Sequence, residues 1–75
     1  MTLLEAPFRK KLLVLEMAGL AEDIRLVLVQ LGLDRGEIIE KIRLAPLGDP
    51  VSLQIGQQLF TLRKEICAQI LVEVV

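Results

Sequence analysis

Apolar and polar residues alternate with period two along much of this chain, the pattern of a strand with one buried face. Val51-Ser52-Leu53-Gln54-Ile55 alternates without exception, and Gln58-Leu59-Phe60-Thr61-Leu62 resumes after Gly56-Gln57. A two-residue link with glycine first suits a type II′ hairpin. That register sets Val51, Leu53 and Ile55 opposite Leu62, Phe60 and Gln58 on a single face. Leu12 to Met17 predicts a first strand, Glu37 to Ala45 a longer one, and Ile70 to Val74 the last. In the long strand Ile38, Ile42 and Leu44 are assigned to the core, with Glu40 breaking the alternation near an edge.

Between the first two strands the period changes. Ile24, Leu28 and Leu31, with Val27 between, form a helical stripe over Ala21 to Leu31. Glu22 and Asp23 in the first turn complement the helix dipole. Gly32 follows as a C′ cap, with Leu33 placed to fold back on the stripe. Arg63 to Ala68 reads as a single helical turn.

Arg43 to Pro50 cannot be helical, since Pro46 and Pro50 fix their own φ and push Ala45 and Asp49 toward extended geometry. Gly48 supplies the reversal. Five short strands with one early helix make a mainly β chain, and closing the strands on themselves buries one face and protects the edges. The expected architecture is a small SH3-like barrel with one inserted helix and a short helical turn before the last strand. Seventy-five residues fit one domain, 1–75.

Composition narrows the chemistry. With 53% hydrophobic residues, nearly all aliphatic, a dense core is available, yet no run approaches the about 20 apolar residues a spanning helix needs. The best run, Leu12 to Ala21, contains Glu16. The first residues lack the order of a signal peptide, so a cytoplasmic protein is expected. The basic run Arg9-Lys10-Lys11 reads as a solvated strand entrance rather than a membrane contact made with Leu3, Leu4 and Phe8. A net charge of −1 offers no footprint for nucleic acid.

Histidine is absent, and with it the commonest general base and metal ligand. The nucleophile candidates Thr2, Ser52, Thr61 and Cys67 therefore lack a base partner. Gly32 and Gly36 follow a helix instead of opening one, unlike a phosphate cradle. One cysteine does not support a tight transition-metal site, and only weak surface binding of a divalent metal is left. Cys67 is assigned to the core. No catalysis and no cofactor are expected. Without Trp or Tyr there is also no aromatic groove for proline-rich ligands. What is left is an aliphatic surface for a macromolecular partner. Its candidates are Val27, Leu28 and Val29 on the helix, Leu47 and Asp49 in the loop, and Arg63 beyond it. For Asp49 and Arg63 the simpler role is fixing the loop.

Three spaced motifs carry a resemblance covering the chain from about Leu12 onward: Leu31-Gly32-Leu33 with Gly36, the loop Ala45-Pro46-Leu47-Gly48-Asp49-Pro50, and Leu62-Arg63. Together they resemble the FeoA family, small proteins of bacterial ferrous iron uptake. Arg35 stands where that family often has proline, Gly56 lies one residue early, and Ile66 replaces a frequent acid. The resemblance implies an SH3-like fold similar to the C-terminal domain of iron-dependent repressors. It also implies a non-catalytic cytoplasmic accessory protein that binds or regulates the cytoplasmic part of the ferrous iron permease (FeoB-type) with its G domain. The membrane is reached only through that permease, and a homo-oligomer is compatible with the pattern. The alternative is a metal-sensing or metal-binding SH3-like domain. A fragment of a DNA-binding repressor would need a recognition helix this chain lacks.

Overall fold

The computed structural model describes residues Met1–Val75. Its elements are β1 (Lys11–Glu16), α1 (Glu22–Gln30), β2 (Ile38–Leu44), β3 (Val51–Ile55), β4 (Gln58–Leu62), α2 (Lys64–Cys67) and β5 (Leu71–Val74). All strand pairs are antiparallel, in the order β4-β3-β2-β1-β5. The sheet curls into a nearly isotropic body, 29 × 26 × 24 Å, as an SH3-like barrel does. Its ladder stays open between β4 and β5, which α2 joins.

The hairpin forms as the alternation predicts. Val51 faces Leu62, Leu53 faces Phe60 and Ile55 faces Gln58, with Gly56 at φ +59° in the turn. Helix α1 ends on the predicted glycine at φ +98°. The Leu33 amide donates to the Leu28 carbonyl and the Gly32 amide to that of Val29, which together make a Schellman motif. This termination drops Leu33 fully into the core.

Fifteen buried apolar residues form that core, among them Leu12, Val14, Leu28, Leu33, Ile39, Leu53, Cys67, Ile70 and Val72. Strand β2 corrects the expected facing. Ile39 and Lys41 point inward, whereas Ile38 and Leu44 are exposed and Ile42 is half-buried. A register shift between Lys41 and Arg43 in the pairing with β3 accompanies the change of face.

Lys41 is only 2% exposed. A charge at such depth needs partners. The first residues supply them: Lys41 Nζ donates to the carbonyls of Leu4 at 2.6 Å and Ala6 at 2.9 Å, and lies 4.6 Å from the centre of the Phe8 ring. The first residues thus form a strap. Leu3 and Ala6 are buried beneath it, so Leu3 cannot serve a membrane contact. Met1 and Leu3 bond to Val72 and Ile70 and cover the outer edge of β5.

Candidate interaction surface

The loop between β2 and β3 is shaped by its own backbone. The Ala45 amide donates to the Pro50 carbonyl at 3.1 Å, and the Gly48 amide to the Ala45 carbonyl at 2.8 Å. Gly48 sits at φ +87°, a conformation costly for any side-chain-bearing residue, and the Asp49–Pro50 bond is cis. Closing the loop this tightly lifts Leu47 to its tip, 94% exposed. An aliphatic side chain so fully in water gains nothing from the fold of its own chain.

Asp49 and Arg63 are brought together. Arg63 Nε donates to Asp49 Oδ2 at 3.2 Å, and the Lys64 amide donates to Oδ1 at 2.9 Å. One carboxylate therefore satisfies a free donor of α2 and ties it to the loop. The Arg63 side chain is 71% exposed, and Glu65 Oε2 stands 4.0 Å away. Most of what holds the two segments is therefore the amide bond, since exposed ion pairs contribute little.

Helix α1 divides the remaining candidates. Leu28, 3% exposed, belongs to the core and is withdrawn as a contact, because a partner could reach it only by prising the helix away. Val29 is half-buried and Val27 is exposed. At 100° per residue Ile24, Val27, Leu28 and Leu31 share one face. Only Leu28 is covered, so Ile24, Val27 and Leu31 leave an apolar row in water.

Cys67 is fully buried, and desolvation pushes its thiol up to about 11, with Lys41 opposing and Asp49 adding to the rise. At neutral pH it is a protonated core side chain, not a nucleophile. No three Asp, Glu or Cys side chains converge as a metal site would require.

A second surface was missed by the sequence reading. The register aligns Arg43, Ser52 and Thr61 across one row of the outer face, and Glu40, Gln54 and Leu59 across the next. Ile42, Arg43, Ser52, Leu59, Phe60 and Thr61 line a shallow groove of about 280 Å³ there. With β2 turned the right way round, the pattern would have exposed it.

These features define a small SH3-like barrel that displays aliphatic side chains. The FeoA-domain family model matches residues 1–74, and the chain belongs to the FeoA family. Iron(II) transport protein A of Clostridium thermocellum superposes with TM-score 0.90 at 35% identity, over 100% of this chain and 46% of that one. The FeoA protein of Chlorobium tepidum superposes at 0.92 with 31% identity, over 100% of this chain and 70% of that one. Stenotrophomonas maltophilia FeoA, solved with zinc and described as a prokaryotic SH3 domain protein, superposes at 0.80 with 29% identity, over 97% of this chain and 89% of that one. This chain thus spans less than half the length of the Clostridium protein. No curated protein sequence matches. No helix is long and apolar enough to cross a membrane.

Proposed function

We propose that this chain, acting as one unit, is a cytoplasmic, non-catalytic accessory domain of ferrous iron uptake that binds the cytoplasmic part of the ferrous iron permease. The carrying observation is the uncovered apolar row Ile24, Val27 and Leu31 on α1 in a chain of the FeoA family. Contiguous aliphatic surface of this kind marks a partner contact more often than it marks solvent. Val29 lies across the helix from that row and is left out of it, while Leu47 forms a second contact on its rigid loop, with Asp49 and Arg63 positioning the loop behind it. Two related structures are named for iron(II) or ferrous iron transport, and one is described as a candidate activating factor. Co-purification with the permease's cytoplasmic part tests the proposal. Retention should fall at least about tenfold for a Val27→Gln, Leu47→Gln double variant. Undiminished retention, or none by the parent chain, rejects this surface.

A second reading, a domain that takes up metal, is favoured by the zinc in the Stenotrophomonas relative. Calorimetry with zinc and ferrous ions separates the two. Micromolar binding lost on Cys67→Ser would replace the first reading.

A further inference from the structure

The two edges of the sheet differ. That of β5 is covered by the first three residues, while that of β4 carries nothing. Parity in the hairpin says which groups are free. The pair closing a two-residue turn, Ile55 and Gln58, exchanges both hydrogen bonds, so Leu53–Phe60 and Val51–Leu62 do likewise. Leu59 and Thr61 therefore aim their N–H and C=O groups outward, and no loop or terminus bonds to them. Natural edge strands are blunted by Lys, Pro or a bulge. Gln58–Leu62 has neither residue, and its pairing with β3 runs without a shift. Leu59 stands 66% exposed beside the open backbone.

Charge states the kind of occupant. Arg43 borders the groove behind β4 and two adjoining hollows, one reaching Phe8 and Leu44 and the other the Pro46–Pro50 loop. No carboxylate lines any of the three. Arg43 makes no ion pair, unlike Arg63, and donates no side-chain hydrogen bond. Glu40 shares the face and the strand of Arg43 but stands in the neighbouring row, opposite Gln54 and Leu59. Between Arg43 and the edge stand only the small Ser52 and Thr61, so a long acidic side chain on an added strand could lie across them to the guanidinium. We propose that the β4 edge accepts an extended segment of a partner protein as a sixth strand, with Leu59 against an apolar residue and Arg43 paired with a glutamate.

The test titrates the full isotope-labelled chain with the blocked peptide Val-Thr-Glu-Thr-Val-Thr, whose Glu and flanking Val residues share one face, followed by amide shifts and hydrogen exchange. Binding should slow exchange at Leu59 and Thr61. Replacing the peptide's Glu by Gln should weaken it about tenfold. Arg43→Gln, an exposed change, should bring the two peptides to equal affinity. Thr61→Pro, which removes an outward N–H, should abolish binding of both. The proposal is overturned by no binding up to about 1 mM, by equal affinity for both peptides in the parent chain, by protection on α1 instead, or by dimerisation through β4 without peptide binding. Of these outcomes only protection on α1 bears on the helix surface proposed above, and it does not contradict that surface.

Discussion

Asp49 holds Lys64 more firmly than it holds its charged neighbour Arg63: the Lys64 amide lies 2.9 Å from one carboxylate oxygen, the exposed guanidinium 3.2 Å from the other. The amide bond satisfies an otherwise free helix donor, and such bonds contribute about 1–2 kcal/mol. Asp49→Ala should therefore lower stability by about that amount in urea denaturation, whereas Arg63→Gln should cost less than about 1 kcal/mol. Equal losses would make the ion pair, not the cap, the link between loop and helix.

Lys41 has a comparable role at the other end of the chain. Its ammonium satisfies the carbonyls of Leu4 and Ala6, and truncation leaves both without a donor above a cavity. Lys41→Ala is expected to cost about 2–4 kcal/mol, and Lys41→Met, which fills the space, less. Exchange should accelerate at the Leu3 and Val72 amides, which join the strap to β5. Thermal unfolding with hydrogen exchange checks both parts.

Alkaline pH should separate Cys67 from Lys41. Burial raises the Cys67 thiol from 9.0 to about 11, so between those values the unfolded chain releases a proton that the folded chain keeps. Stability conferred by the buried thiol is complete below pH 9 and is lost as pH climbs through 11, by at most about 2–3 kcal/mol. Lys41 acts in the opposite sense. Desolvation lowers its ammonium below the ordinary 10.5, so the unfolded chain binds more protons in that window and stability rises with pH. Cys67→Ala should convert the alkaline loss of stability into a flat or rising profile, measured as urea midpoints from pH 8 to 11. A profile as steep as that of the parent would exclude the thiol as the cause.

Neighbouring residues on α1 should part company. Val27→Gln, on the exposed row, should shift stability by no more than about 0.5 kcal/mol. Leu28→Gln puts an amide into the core and should cost about 2–4 kcal/mol. Urea midpoints of the two variants check the assignment, and only the first is fit for binding experiments.

The order of elements, the hairpin register and the end of α1 were legible because each has a local cause: strict alternation, Gly56 after Ile55, and Gly32 before Leu33. The facing of β2 was not. A lysine in the alternation reads as solvent-facing, and Lys41 turns inward only because carbonyls some 35 residues away receive it. The strap was hidden for the same reason, since nothing in Met1–Phe8 has a periodic signature. Of the candidate contacts, Asp49 and Arg63 were legible only as residues fixing the loop, not as partners of each other, and Leu28 failed because a helical stripe does not say how much of its width is covered.

The account stands or falls on whether the aliphatic surface is touched. Titrating the isotope-labelled chain with the cytoplasmic part of the ferrous iron permease, followed by amide and methyl shifts, tests this most directly. Saturable changes should gather at Ile24, Val27, Leu31 and Leu47 while the inward residues Leu12, Ile39 and Leu53 stay still. Unchanged spectra throughout, or changes confined to surfaces remote from α1 and the Pro46–Pro50 loop, would contradict it.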